Sequence, residues 1–331
     1  LTWTKKSFAM RYLPSGIIFS VAGLGCFPVN SITLWPLLSL LNSELVDFLL
    51  SLEASEHNWE VGQIATIPIS LKIAKQENVI LRNLSHESYD LLREWDTGDE
   101  VSTIFIKPWI LQLVYAFNPE EKPITNHPFA KQFIWSDWSS LKETRSILGK
   151  KEMKLRDLTD LVNKREGIMQ KRLEEIQNRI DEEIYSIYEI SEEDKNLIKK
   201  EIALRSGEGT LLEEKNEKND EEEQSKHLLD IQTKNKDHVA RLISFYIKKT
   251  LESDPDGIVS LYGLIQKVRK YLANDFDEDQ ADTKAREIND ILGKSLEEWI
   301  STEYFDFHVN LYKRRPIFWH LTSSNFLRGR G

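Results

Sequence analysis

Residues 35–52 read W-P-L-L-S-L-L-N-S-E-L-V-D-F-L-L-S-L, and residues 58–69 read N-W-E-V-G-Q-I-A-T-I-P-I. The apolar residues of the first stretch recur at i, i+3, i+4 and i+7, which predicts an amphipathic helix with a wide apolar stripe. Pro36 suits the first turn of such a helix. The second stretch is β-prone, but Gly62 interrupts it and Pro68 confines it to an edge or an end. The two stretches therefore predict a buried helix followed by a short strand, a packing unit without chemistry of its own.

The composition of the chain indicates a soluble globular protein of two or more domains. Its 331 residues are 40% hydrophobic and 30% charged. Cys26 is the single cysteine, so we expect neither a disulfide framework nor a cysteine zinc site. No apolar run has the length of a membrane span and no signal-peptide pattern is seen, so we expect a cytoplasmic protein without membrane contact. The formal net charge of −10 argues against a chain coated in nucleic acid.

Short β-rich segments precede the opening stretch. Residues 1–27 carry aromatic and β-branched side chains broken by turn residues, which predicts short strands. Lys5, Lys6 and Arg11 lie among them with little acid nearby. They form either solvated strand faces, which composition alone favours, or a face that contacts DNA phosphates. Together, residues 1–138 predict a mixed α/β domain.

The middle of the chain has a helical pattern that gives way to a polar, acidic one. Within residues 139–205, apolar side chains from Leu155 to Ile187 step by threes and fours between charges, which predicts a long helix or a helical hairpin. Ser191 and Asp194 resemble a capping box, so we expect a second helix to start there. Residues 206–236 are acid-biased and nearly free of aromatic and β-branched side chains. They predict a flexible linker, because such a segment buries too little to offset its ordering entropy.

Residues 237–331 are predicted to form a smaller C-terminal helical region that ends in a β-hairpin. The sequence F-D-F-H-V-N-L at 305–311 alternates apolar and polar residues, and a second short apolar run follows at 317–321. Lys313, Arg314 and Arg315 form the densest basic run of the chain between them, so we expect a hairpin with a basic bend. The predicted fold class of the whole chain is α+β.

Catalytic and metal-binding patterns are missing from the sequence. It contains no phosphate-binding glycine loop, no dinucleotide glycine fingerprint, no H-E-x-x-H and no G-x-S-x-G. His308 and His320 have no thiolate or carboxylate set nearby to complete a zinc site. The run D-F-D-E-D-Q at 275–280 lacks the turn glycine and terminal Glu of a calcium loop. We therefore predict no catalytic residue and no metal site, and the residues alone indicate a binding or interaction protein.

Several short motifs, taken in order, resemble one protein family. They are L-L-S-L-L-N-S at 37–43, V-G-Q-I-A-T-I-P at 61–68, I-Q-N-R-I-D-E-E-I-Y-S-I-Y-E-I at 176–190, H-V-A-R-L-I-S-F-Y at 238–246 and R-R-P-I-F-W-H-L at 314–321. The chain resembles the C-terminal half of the PglX-like adenine-specific DNA methyltransferases of BREX phage-defence systems and their DISARM relatives. In that family the first two motifs mark the target-recognition region, which implies that residues 1–138 are a target-recognition domain.

The resemblance also implies a parent enzyme that uses S-adenosylmethionine. The glycine motif that binds S-adenosylmethionine and the N-P-P-Y-type motif that positions a flipped adenine amine are absent from this sequence. We therefore expect the chain to be the specificity and C-terminal part of such an enzyme, with no cofactor of its own. It would depend on a fused or separate methyltransferase half for methylation.

Two functions follow as hypotheses. In the first, the chain recognises double-stranded DNA, and phosphates or base edges are contacted by Lys5, Lys6, Arg11, Lys313, Arg314 and Arg315. In the second, the long helix and the acidic linker dock other proteins of the defence complex, and DNA contact is incidental. The net charge of −10 favours the second hypothesis, and the basic run near the end of the sequence favours the first.

Overall fold

The structure is a computed structural model that describes residues 8–14, 16, 25–28, 33–53, 61–74, 78–116, 153–206 and 220–321. The described part is 74% helical and contains no β-strand. The predicted α+β fold class is therefore wrong, because the described part of the chain is mostly helical. The strands predicted within residues 1–27 fall largely outside the described residues, and the short described pieces at 8–14 and 25–28 have no regular secondary structure.

The helices follow one another along the chain, and their boundaries do not coincide with those of the compact units. They are α1 (Leu34–Leu41), α2 (Glu44–Glu53), α3 (Val61–Ala65), α4 (Leu71–Ala74), α5 (Val79–Asp96), α6 (Trp109–Ala116), α7 (Leu155–Ile187), α8 (Glu192–Ser206), α9 (Asp220–Ser253), α10 (Leu261–Phe276), α11 (Ala281–Leu292), α12 (Leu296–Thr302) and α13 (Tyr304–Leu311). The first compact unit combines Leu1–Leu92 with Ile168–Glu223, and the second combines Arg93–Gly167 with Gln224–Gly331. Each unit is thus assembled from two separate pieces of sequence.

The opening stretch forms the centre of the first unit, as two helices rather than the single helix that its periodicity predicts. Helices α1 and α2 meet at Asn42 and Ser43 with a bend of 57°. The Ser43 hydroxyl donates to the Leu40 carbonyl at 2.7 Å, which closes the last turn of α1. The apolar face of this pair packs on α7, and the buried residues are Leu40, Leu41, Leu45, Val46, Leu50, Ile176, Ile180 and Ile184. Burial of each such side chain contributes roughly 1.5–3 kcal/mol.

The strand predicted at residues 61–69 is wrong. Val61–Ala65 form the short helix α3, and the backbone N–H groups of Thr66 and Ile67 donate to Gln63 and Ile64 carbonyls. Ile67 is buried while Val61 is 63% exposed. Ile67 thus reaches the core from the turn that follows α3 and not from a strand, because tertiary packing overrides the local preference for β structure.

The second unit packs around α9. Apolar residues recur along this helix at i, i+3, i+4, i+7 and i+8 and are buried: Val239, Leu242, Ile243, Tyr246 and Ile247. They share one core with residues of α6, α7, α10, α11 and α12, among them Leu113, Leu155, Leu158, Val162, Val268, Leu272, Ile288 and Trp299. Residues 220–236, which the sequence assigns to an acidic linker, form the first part of α9. Residues 207–219 lie outside the described residues.

The predicted C-terminal hairpin is wrong. Residues 304–311 form α13, and residues 317–321 are not in a strand. Tyr304 and His308, four residues apart, are buried on one face of α13, and Phe307 packs against the same core. The seven residues 305–311 alternate like a strand, but the buried face of the helix begins one residue earlier, at Tyr304, and is not visible in that window.

No described helix is by itself long and apolar enough to cross a membrane. The bent pair of α1 and α2 meets the length and composition requirement when its two helices are taken together. Much of this pair is buried in the core of the first unit.

Candidate functional site

The basic run at Lys313, Arg314 and Arg315 forms an exposed turn at the end of α13, which we call the basic turn. The Arg314 N–H donates to the Val309 carbonyl at 2.7 Å and the Lys313 N–H donates to the Asn310 carbonyl at 3.1 Å. This is the hydrogen-bond pattern of a Schellman motif. Lys313 and Arg314 have φ angles of 50° and 64°, a left-handed conformation that non-glycine residues seldom adopt and that is often found at functional sites.

The side chains of the basic turn face solvent. All three are exposed, and none of them forms an ion pair with a described acidic residue. Several other cations of the second unit, for example Arg165, Arg241 and Lys284, are paired with carboxylates. The basic turn is therefore a concentrated, uncompensated positive charge on a chain whose net charge is −10.

Contacts on both sides hold the basic turn on the second unit. The Tyr312 hydroxyl donates to Glu100 Oε1 at 2.8 Å. The Ile317 N–H donates to His308 Nε2 at 3.1 Å, and the Phe318 ring stacks on the His308 ring with centroids 3.9 Å apart. These contacts, which we call the anchor, join the residues before and after the basic turn to α13 and to Glu100.

The electrostatics of the anchor depend on a neutral His308. Because Nε2 accepts a hydrogen bond from Ile317, the neutral ring carries its proton on Nδ1. Burial and, to a smaller extent, the nearby Lys248 ammonium lower the pKa of His308 to about 4. Burial raises the pKa of Tyr312, and the Glu100 carboxylate adds to that shift. At neutral pH the anchor therefore consists of an uncharged imidazole, an uncharged phenol and the Glu100 carboxyl group.

Four polar side-chain atoms close to the anchor are buried without a hydrogen-bond partner among the described residues: Glu100 Oε2, Ser244 Oγ, Tyr304 Oη and His308 Nδ1. Burial raises the pKa of Tyr304 and the charge of Glu100 raises it too, whereas the Ser244 hydroxyl, which lies close to the phenol without a hydrogen bond of good geometry, lowers it. A buried polar atom without a partner costs about 1–3 kcal/mol.

The remaining predicted DNA-contacting residues are at the other end of the chain. Arg11 is exposed in the first unit, and its guanidinium donates to the Met10 carbonyl at 3.4 Å. Lys5 and Lys6 lie outside the described residues. The structure therefore brings together three of the six predicted residues in one turn and gives no further arrangement for the others.

The motif L-L-S-L-L-N-S supplies structural hydrogen bonds to the first unit. The buried Ser39 hydroxyl donates to the Leu81 carbonyl at 3.1 Å. Asn42 Oδ1 accepts from the Met10 N–H at 2.9 Å, and the Asn42 carbonyl accepts from Gln177 Nε2 at 3.0 Å. The polar residues of this motif therefore form hydrogen bonds within the first unit, and the leucines around them pack in its core.

A carboxyl group of α7 completes this hydrogen-bond network. Asp181 Oδ1 accepts from the Glu44 N–H at 2.8 Å, and Oδ2 accepts from Gln177 Nε2 at 3.0 Å. Burial raises the pKa of Asp181 to about 7, against the effect of these two donors. The Tyr185 hydroxyl donates to the Glu44 side chain at 2.9 Å. No sequence pattern singled out Asp181, because its backbone partner Glu44 lies 137 residues away along the chain.

Nothing in the described ranges resembles a metal centre: no group of three or more His, Cys, Asp or Glu side chains is arranged to hold an ion. No protein-family model, curated protein or solved structure gives a significant match to this chain. The resemblance to adenine-specific DNA methyltransferases therefore rests on the sequence motifs alone.

Proposed function

We propose that the chain binds double-stranded DNA as the target-recognition portion of a site-specific adenine-N6 DNA methyltransferase in a bacterial phage-defence system. The order of the sequence motifs supports this proposal. The observation that carries it is the basic turn, which presents Lys313, Arg314 and Arg315 to solvent. In this proposal the methyltransferase half, fused or separate, binds S-adenosylmethionine and performs the chemistry.

The basic turn has the properties that phosphate contact requires. Lys and Arg neutralise backbone phosphates, and such contacts fix the position of a protein on the duplex without reading its sequence. The Schellman hydrogen bonds and the anchor fix the backbone of the turn before DNA arrives, so less conformational entropy is lost on binding. Trp319, four residues after Arg315, is 74% exposed.

The proposal is tested by fluorescence anisotropy with a labelled DNA duplex and the chain together with its methyltransferase half. A variant with Lys313→Gln, Arg314→Gln and Arg315→Gln is expected to bind about tenfold more weakly or worse, because three phosphate contacts are lost. The control carries Lys267→Gln, Arg269→Gln and Lys270→Gln, three exposed cations of α10. It has the same net charge as the first variant. Equal losses in both variants would show that only overall charge matters.

A second candidate function is that of a scaffold that docks the methyltransferase half or other proteins of the defence complex. Leu197 and Leu204 of α8 are 55% and 57% exposed. They are seven residues apart, so they lie on one face of the helix, where a partner helix could pack. The double variant Leu197→Ser and Leu204→Ser should then lose co-purification with the co-expressed methyltransferase half. Full co-purification with this variant would rule out α8 as the docking surface.

A further inference from the structure

A charged cleft of about 320 Å³ lies in the second unit, apart from the basic turn. One wall is a stripe of α9 in which polar residues recur at i, i+3, i+4 and i+7: Lys234, Asp237, His238 and Arg241. Trp95 and Asp99, from a separate segment of the chain, also line the cleft. The Trp95 ring is stacked on the Trp109 ring, with centroids 4.7 Å apart, so its position is fixed by packing.

A chain of hydrogen bonds determines which nitrogen of His238 carries the proton. A carboxylate only accepts hydrogen bonds, so Asn235 presents Nδ2 to Asp160 Oδ1, at 2.9 Å. Asn235 Oδ1 then accepts from Asn163 Nδ2 at 2.6 Å. Asn163 Oδ1 remains as the acceptor for His238 Nε2, at 3.1 Å. The proton of the neutral ring is therefore on Nε2, and Nδ1 keeps its lone pair.

His238 is a buried side chain with an unused acceptor on the wall of the cleft. It is 9% exposed, and Nδ1 has no hydrogen-bond partner among the described residues. The pKa of His238 is lowered to about 4, mainly by burial. The Asp237 carboxylate raises this pKa by a smaller amount, and the Arg241 guanidinium lowers it. The ring is thus uncharged at neutral pH, and a bound group that donates an N–H would satisfy Nδ1.

The charged residues that line the cleft carry an excess of negative charge. Arg241 donates through Nε to Asp237 Oδ2 at 2.7 Å and through Nη1 to Asp99 Oδ1 at 2.8 Å. The Lys234 ammonium lies 3.3 Å from Glu166 Oε2. The second oxygens of Asp99, Asp237 and Glu166 have no described partner. The lining therefore has three carboxylates against two cations, together with the free imidazole nitrogen.

We propose that this cleft binds a small organic cation with several N–H donors, of the amine or guanidinium class. Such a ligand complements the excess of negative charge, satisfies His238 Nδ1 and places its charge beside Trp95, whose ring face attracts cations. The volume of about 320 Å³ lies at the lower end of the range for small-molecule sites. This inference does not depend on DNA binding, and its test involves no DNA.

Isothermal titration calorimetry of the whole chain with phenylguanidinium and with phenylurea, its neutral isostere, tests the proposal. Phenylguanidinium is expected to bind about tenfold more tightly, since its charge adds one charge-assisted hydrogen bond. Glu166→Gln and Trp95→Leu should each weaken its binding. Glu298→Gln is the matched control. Like Glu166, Glu298 pairs with a lysine, in this case Lys294, but it lies outside the cleft.

A second measurement observes the protonation of His238 directly and needs no variant protein. Nitrogen-15 NMR of the histidine side chains should show Nδ1 of His238 unprotonated in the free chain, and its resonance should move when phenylguanidinium is added. The proposal is overturned by equal binding of the two probes, by no binding of phenylguanidinium, or by a proton on Nδ1 in the free chain.

Discussion

Protonation of His308 is expected to release the basic turn from α13. The Nε2 atom of His308 accepts the Ile317 N–H, and a protonated ring has no lone pair with which to accept it. The groups nearest the ring include Lys248 of α9, Tyr304 and Tyr312, and Lys248 also disfavours a positive charge there. Acid should therefore loosen the segment that follows the basic turn before it unfolds the chain.

The size of this effect follows from the pKa of His308. Its folded-state pKa of about 4 lies below the ordinary value of 6.5, so its contribution to stability is complete above pH 6.5 and is lost as the pH falls toward 4. Between about pH 7.5 and about pH 5 the loss is roughly 2 kcal/mol. His238 has a similarly lowered pKa and contributes to the same pH dependence, so a comparison with a variant is needed to isolate His308.

Hydrogen exchange of the peptides that cover residues 304–318, measured by mass spectrometry and corrected for intrinsic rates, provides the assay. The protection of the Ile317 amide should fall by roughly 2 kcal/mol over this pH range in the natural chain. In His308→Gln, which keeps an acceptor but does not titrate, the fall should be much smaller. An equal fall in both proteins would refute the assignment of the effect to His308.

Two further predictions concern packing and hydrogen bonding. A Cβ atom added at Gly98 would overlap Nε1 of the buried Trp109 ring. Gly98→Ala should therefore destabilise the second unit by about 1–3 kcal/mol, and an unchanged thermal midpoint would contradict this packing. Tyr185→Phe removes the hydrogen bond to Glu44 and should cost about 1–3 kcal/mol. Tyr304→Phe removes a buried hydroxyl without a described partner and should be neutral or stabilising in urea unfolding; equal losses in the two variants would count against this distinction.

Helical periodicity was the most informative pattern in the sequence. Apolar residues recur at helical spacing from Leu155 to Ile187, and α7 spans these residues. The capping interaction predicted at Ser191 is confirmed, because the Asp194 N–H donates to Ser191 Oγ at 3.1 Å. Both features depend on residues close in sequence, whose spacing alone determines whether they meet.

The errors arose where a short pattern fits two structures. The alternation at 305–311 suits a strand, but its neighbour Tyr304 and the anchor at His308 complete a helical face. The acidic residues 220–236 lack an apolar stripe, but glutamate, glutamine and lysine are good helix formers, and the buried positions from Val239 onward extend the same helix into the core. In both places the deciding contacts lie outside the window that shows the pattern.

The candidate sites differ in how far local sequence could reveal them. The basic turn is visible as three consecutive cations, although its left-handed backbone is not. The polar stripe of α9 could have been found from the helical spacing of Lys234, Asp237, His238 and Arg241. The chain of hydrogen bonds that orients His238 could not have been found in this way, because Asn163 and Asn235 are 72 residues apart and meet only in the folded unit.

The central claim is that the basic turn contacts DNA phosphates, and the salt dependence of duplex binding tests it most directly. The logarithm of the binding constant, plotted against the logarithm of the salt concentration, has a slope of about −0.9 for each neutralised phosphate. Replacement of Lys313, Arg314 and Arg315 by glutamine should therefore make the slope shallower by about 2 to 3, whereas the triple variant of α10 should leave it unchanged. The same slope for the natural chain and the basic-turn variant would contradict the account.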